Sequence, residues 1–183
     1  METVETVSVM ISEERLLARV REMAEQITAD FAGCDELKLV CILKGSVFFT
    51  TELAKRINLP IKLDFMSVSS YGDDMESSGR VRIVKDLDET IRGQNVIVVE
   101  DIVDSGRTLA FLLEMLRSRQ PETLRLCTLL DKPSRRVTDV KVDYTGFEIP
   151  DEFVVGFGLD YAQKYRALPF IGKLSITDCG EDE

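Results

Sequence analysis

An α/β fold with a mostly parallel central sheet flanked by helices is the architecture this sequence predicts, and three observations carry it. Short, near-continuous apolar runs such as Leu37–Leu43 and Val96–Val99 have the length and composition of strands buried on both faces. Stretches with apolar residues at steps of three or four alternate with these runs, as βα units require. Between one such strand and the helix after it, residues 100–108 form a short acidic, glycine-bearing turn, where open α/β sheets present ligand-binding groups.

Ser12 opens the first helix. Leu16, Val20, Met23, Ile27 and Phe31 recur at helical spacing, Glu13 and Glu14 suit its first turn, and Gly33 ends it. A strand over Leu37–Leu43 is followed by a helix from Val47 to Ile57. Ile61, Leu63 and Phe65 alternate with polar positions, which predicts a half-buried strand with those three side chains inward. The polar, glycine-flanked run YGDDMESSGR at 71–80 has too few apolar residues to hold itself down and reads as a loop. Strands are expected at Val81 to Val84, Val96 to Val99, Leu124 to Leu130 and Phe153 to Val155, with a strong amphipathic helix from Leu109 to Arg117. No repeat, low-complexity segment or linker divides the chain, so residues 1–183 read as one domain, long enough to bury roughly 70% of its unfolded surface.

Composition excludes several classes. With 23 Lys and Arg against 33 Asp and Glu, the net charge of −10 argues against nucleic acid as a partner, since phosphate backbones need a basic surface. No apolar run approaches the ~20 residues that cross a bilayer, and METVETVSVM carries no basic residue of a secretory signal. The expectation is a cytoplasmic protein without a membrane partner. The chain lacks histidine, and Cys34, Cys41, Cys127 and Cys179 form no C-x-x-C pair, which leaves little support for zinc sites or for Ser-His and Cys-His catalysis. Cys41 and Cys127, inside strand patterns, read as small buried hydrophobes. Gly156-Phe157-Gly158 hints at a dinucleotide fingerprint, but Tyr161 stands where the third glycine belongs, and no P-loop sequence occurs.

The segment NVIVVEDIVDSGRTLA, residues 95–110, is the richest in chemistry. Four apolar strand formers end at Glu100 and Asp101, and the turn through Asp104, Ser105, Gly106, Arg107 and Thr108 leads into a helix. Unpaired N–H groups and the helix dipole at such an N-terminus favour a phosphate. The two acids would repel that phosphate and are better suited to sugar hydroxyls or a metal ion. A phosphorylated sugar satisfies both demands. The bland alternatives are a solvated strand end for Glu100 and Asp101, and a helix N-cap for Asp104.

EDIVDSGRT is similar to the ribose-phosphate signature of the type I phosphoribosyltransferases. LKGSVFF at 43–49, SSYG at 69–72, LLDKPSRR at 129–136 and GFEIPDEFVVGFGLDYAQKYR at 146–166 resemble the 6-oxopurine, hypoxanthine-guanine branch of that family, in the family's order. The signature alone points only to the superfamily, and the last segment is the most specific. The resemblance implies a type I phosphoribosyltransferase-like sheet with a small hood from the N-terminal segment and residues of about 150–183. It implies transfer of a phosphoribosyl group from phosphoribosyl pyrophosphate to hypoxanthine or guanine, with Mg²⁺, in a homo-oligomer, dimer or tetramer.

Residue by residue, the resemblance makes Asp104 the acid or base at purine N7. It places Glu100 and Asp101 on the ribose hydroxyls with Mg²⁺ close by, and Ser105, Gly106, Arg107 and Thr108 around the 5′-phosphate. Lys44, Gly45 and Arg166 would hold pyrophosphate, in a loop that carries a non-proline cis peptide in the family. Lys132 would donate to the 6-oxygen, Phe153 would stack on the base, and the Val154 backbone would read its edge. Asp160 would stand near both base and metal. Ser70 and Tyr71 would begin a loop, about 70–80, that closes over the site. Lys44 and Arg107 read equally well as surface residues, and Val155 as plain core. Two rivals stay open: a transferase for xanthine, adenine or a pyrimidine, and a non-catalytic sensor that binds nucleic acid or protein.

Overall fold

The computed structural model describes residues 2–70 and 81–179. Ser70 closes a described strand, whereas Tyr71 and most of the expected closing loop lie outside the described residues. Two sheets form. The larger has six strands in the order β4-β3-β2-β5-β6-β7: β4 Val81–Lys85, β3 Ile61–Ser70, β2 Leu37–Leu43, β5 Asn95–Val103, β6 Thr123–Asp131 and β7 Tyr144–Glu148. All neighbours run parallel except β3 and β4. Helices α1 Glu13–Asp30 and α2 Val47–Ala54 cover one face, against Leu37, Leu39, Ile97, Val99, Cys127 and Leu129. Helix α3 Arg107–Ser118 covers the other, through Leu109, Leu112, Leu113 and Leu116 against Val40, Val96, Val98 and Leu126. Coverage on both faces explains the near-continuous apolar runs of β2 and β5.

The smaller sheet, in the order β1-β9-β8, joins β1 Glu2–Ile11 to β9 Ile171–Cys179 and β8 Val154–Val155, all antiparallel. It joins residues 2–11 to residues 171–179. No described helix is long and apolar enough to cross a membrane.

Ser12 caps α1, its hydroxyl accepting from the Arg15 N–H at 3.4 Å, and the helix stops at Asp30, three residues before Gly33. Three expectations need correction. Helix α2 ends at Ala54 rather than Ile57, where the N–H groups of Lys55 and Arg56 turn back to Thr51 and Leu53. Phe153 stands outside β8 and is 53% exposed. The burial of β3 is reversed: Asp64 and Met66 are buried, while Leu63 is 49% exposed. The register pairs Leu63 with Leu39, on the face of α1 and α2, but those helices pack mainly on β2, β5 and β7; Ile61 at the start of β3 still meets that cluster, whereas Leu63 is left open.

Asp64 is inside because it holds charges together. Lys38, equally buried, lies 3.8 Å from Asp64 and 3.3 Å from Glu89, and the Asp64 carboxylate accepts the N–H groups of Phe65 and Asp88. Removing one partner of a buried pair leaves the other charge uncompensated. Asp64→Ala should therefore destabilise the fold by about 3 kcal/mol, read as a lower urea midpoint. A midpoint unchanged from the parent would show that Glu89 alone neutralises Lys38.

Candidate active site

The site lies at the carboxyl ends of β2, β5 and β6. Strand β5 runs through Val103, so Glu100 and Asp101 sit inside it, not at its end as the apolar run suggested. Successive strand residues face opposite sides. Glu100 continues the Val96–Val98 side and lines a small cavity with Ile102, Asp104, Ser105, Gly106 and Thr108. Asp101 continues the Ile97–Val99 side, towards the loop after β2.

Both acids are poorly solvated. Among the described residues Glu100 Oε2 is buried with no hydrogen-bond partner, and burial, then the charge of Asp101, push its pKa well above the usual range. Burial pushes Asp101 up to about 6, against the opposing effects of the backbone N–H of Ile102 and the charge of Arg166. A buried oxygen without a partner is costly. The same residue, Glu100, lines the small cavity beside the turn at residues 104–108.

That turn is made by backbone. Gly106, at φ +81°, is the N-cap of α3, and no side chain caps the helix, so Asp104 is not its cap. A Cβ at Gly106 would lie 2.6 Å from the Thr138 carbonyl oxygen. The Ser105 carbonyl accepts from the N–H groups of Val137 and Thr138, both at 3.0 Å, which fixes the turn against the segment after β6. The uncapped N–H groups and helix dipole suit an anion. Ser105 and Thr108 line the small cavity, while the Arg107 side chain is exposed.

A second cavity, of about 550 Å³, adjoins the turn and is lined by Ile102, Asp104, Lys132, Arg135, Asp151, Phe153, Val154, Leu159 and Asp160. It is within the usual range for small-molecule pockets, about 300–1,000 Å³. Lys132 is only 8% exposed and donates to the Glu152 carbonyl at 2.7 Å, with the Asp151 carboxylate 3.6 Å away. Phe153 presents an exposed ring that Tyr161 meets edge-on at 5.7 Å between centroids. Asp104 receives the Arg135 Nε at 3.1 Å. Val155 is fully buried, as plain core.

The loop after β2 completes the site. The Leu43–Lys44 peptide is cis. Gly45 lies so close to Asp101 that a Cβ there would fall 1.5 Å from Oδ2, and a Cβ on Gly158 would fall 1.9 Å from the Gly45 carbonyl oxygen. Lys44 donates to the Gln163 side chain at 3.3 Å. Arg166 pairs with Asp160 at 2.6 Å and donates to the Gly158 carbonyl at 2.7 Å. Residues 160–166 form no helical turn: Ala162, Gln163 and Tyr165 have positive φ, and the chain doubles back between Tyr161 and Lys164. Lys44, Gly45, Asp101, Asp160 and Arg166 thus come together from three separate segments. The three acids expected around a metal do not form one cage, since Glu100 faces away from the other two. Among the described residues no cluster of three or more acidic or thiol side chains converges as a metal site.

Sequence reasoning missed Arg135, Asp151 and Leu159 of the larger cavity, and the Val137–Thr138 brace. It also missed Glu5, which accepts from Tyr165 and Lys164 and so ties β1 to the Arg166 segment. Only PSRR, with two adjacent arginines after Lys132, carried any local signal.

Comparison with known proteins gives a consistent result. Residues 10–162 match the phosphoribosyl transferase domain family. A hypoxanthine phosphoribosyltransferase of Salmonella typhimurium is 51% identical over 174 residues, covering 94% of this chain and 98% of that protein. A hypoxanthine-guanine phosphoribosyltransferase of Streptococcus thermophilus is 48% identical, covering 91% and 92%. The crystal structure of a hypoxanthine-guanine phosphoribosyltransferase from Bacillus anthracis, with HEPES in its active site, superposes with a TM-score of 0.88 at 46% identity, covering 94% of this chain and 99% of that one.

Proposed function

The chain belongs to the phosphoribosyl transferase family, and from that premise we propose that it joins hypoxanthine or guanine to phosphoribosyl pyrophosphate, giving IMP or GMP and pyrophosphate. The observation that carries the reading is the larger cavity, where Asp104, Lys132 and Phe153 line one space beside the uncapped N-terminus of α3. Purine N9 attacks the sugar C1′ as the bond from C1′ to the pyrophosphate oxygen breaks, and the N7 proton passes to the Asp104 carboxylate. Lys132 donates to the 6-oxygen, where the 6-amino group of adenine would oppose donor to donor. Phe153 stacks on the base, and the Val154 backbone reads its edge. Ser105, Gly106, Arg107 and Thr108 hold the 5′-phosphate, while Lys44, Gly45 and Arg166 hold the departing pyrophosphate.

The donor set fits Mg²⁺, a hard cation bound by one or two carboxylates together with substrate oxygens. Asp101, beside Asp160, would hold it, while Glu100, on the other side of the strand with its partnerless buried oxygen, would take a ribose hydroxyl. When bound, the ion supplies neutralisation of pyrophosphate charge. A homo-oligomer and a cytoplasmic location belong to the same reading.

A product assay with hypoxanthine, guanine, xanthine, adenine and uracil, each with Mg²⁺ and phosphoribosyl pyrophosphate, tests the reading. Nucleotide should form from the first two. Turnover of adenine or uracil alone would overturn it.

The desolvated acids also predict proton release. Cations and hydroxyl donors favour ionised carboxylates, so binding of magnesium phosphoribosyl pyrophosphate should expel protons near pH 6, where Asp101 titrates, and weaken as pH falls below it. Calorimetry in two buffers of different ionisation enthalpy measures this, and identical heats in both would contradict it. In the ligand-free protein the sign is opposite. Asp101 stabilises the fold fully below its ordinary 3.8, and that contribution is lost as pH rises through about 6.

A further inference from the structure

Arg135 ends the 3-10 turn Pro133–Arg135 that follows Lys132. Its Nε donates to Asp104 Oδ1 at 3.1 Å, and its Nη1 lies 3.5 Å from Asp151 Oδ2. Asp104 follows β5 and Asp151 follows β7, and all three residues line the larger cavity. One guanidinium therefore ties together two carboxylates on different walls of the same space. Fold stability does not account for this bridge. The partners are about half exposed, and pairs so screened by water contribute little to stability. Geometry does. A planar fork of five donors can hold two carboxylates at once in fixed directions, which a single ammonium cannot.

The consequence falls on Asp104. Oδ1 is held by Arg135, and among the described residues no other donor hydrogen-bonds to this carboxylate. The rotation of the carboxylate is thus set from one side, and Oδ2 is left for an incoming donor. We infer that Arg135, anchored in turn by Asp151, is a positioning residue that orients Asp104 towards N7 of the purine. This rests on the reading of Asp104 as the N7 acceptor. Arg135 itself takes no proton. It holds the direction of the group that does.

The test compares Arg135→Gln, Arg135→Lys, Asp151→Asn and Asp104→Asn with the parent enzyme, measuring kcat, KM for each substrate and Tm. Arg135→Gln should lower kcat about tenfold, from a carboxylate no longer held on line. KM for phosphoribosyl pyrophosphate and Tm should stay at parent values. Arg135→Lys should recover part of the loss, because charge returns without the fork. Asp151→Asn should give a smaller fall of the same kind, and adding it to Arg135→Gln should lower kcat no further. Parental kcat in Arg135→Gln, or losses from the two sites that simply add, would overturn the inference. If Asp104→Asn is inactive while Arg135→Gln is unaffected, only the role of Arg135 falls. If Asp104→Asn keeps parental turnover, the reading of Asp104 falls and takes this inference with it.

Discussion

Asp104→Asn should lower kcat by about two to four orders of magnitude, the usual contribution of a positioned acid or base. Affinity for phosphoribosyl pyrophosphate should remain at the parent level. Asparagine keeps the shape of the side chain and can still accept from Arg135 through its oxygen. What it loses is the ability to take the N7 proton and to balance positive charge as the base attacks. The two effects separate cleanly because Asp104 has no structural duty on the phosphate side. Gly106, not Asp104, is the N-cap of α3, and the turn proposed to hold the 5′-phosphate is fixed through the Ser105 carbonyl and Gly106 packing. The fold should be indifferent too, since the one ion pair weakened is half exposed and worth at most about 1 kcal/mol. Single-turnover kinetics with each base, beside calorimetry with magnesium phosphoribosyl pyrophosphate, would read both quantities. Turnover within the parent range would remove Asp104 from the chemistry, and a parallel loss of sugar-phosphate affinity would recast it as part of the phosphate turn.

Much of this arrangement is written locally. The Ser12 cap with its following acids, and the apolar runs of β2, β5 and β6, are legible because burial on both faces or one helical stripe leaves a pattern within ten or so residues. The stretch from Glu100 to Thr108 is legible for the same reason: one strand, one turn and one helix end hold all its groups. Alternation along β5 even contained the fact that Glu100 and Asp101 face opposite ways. What sequence could not show is assembled across distance. Strands β1 and β9 pair Glu2 with Cys179, and ETVETVSVMI, half covered and rich in polar residues, has no apolar run to announce it. Leu63 looked inward because period-two alternation gives a strand two faces without saying which one a helix covers. The Arg135 bridge needs the ends of β5, β6 and β7 to meet, and no single segment carries that information.

Gly45 shows how much function hangs on one such meeting. A Cβ there would overlap Asp101, 1.5 Å from Oδ2 and 2.6 Å from Cγ, and Asp101 is on a central strand with little room to retreat. Relief must come from turning the Asp101 carboxylate or lifting the loop that carries Lys44. Lifting the loop in turn meets Gly158, whose own α-carbon packs on the Gly45 carbonyl at φ +107°. Either movement displaces groups assigned to pyrophosphate and ribose by an ångström or more. Displacements of that size cost about 10²-fold in rate, so Gly45→Ala should lower kcat/KM for phosphoribosyl pyrophosphate by about that factor. The control for a glycine replaced without a clash is Gly93→Ala. Gly93, unlike Gly45, has a positive φ, +70°, but a Cβ there meets nothing within 4 Å. Its replacement should reduce stability by about 1 kcal/mol, from the left-handed backbone alone, with kcat/KM intact. If Gly45→Ala behaved like Gly93→Ala, with some stability lost and catalysis unharmed, the contact between the loop and Asp101 would be packing without consequence. A selective loss of kcat/KM would instead show that the absence of one methyl group keeps Asp101 and the loop after β2 in register.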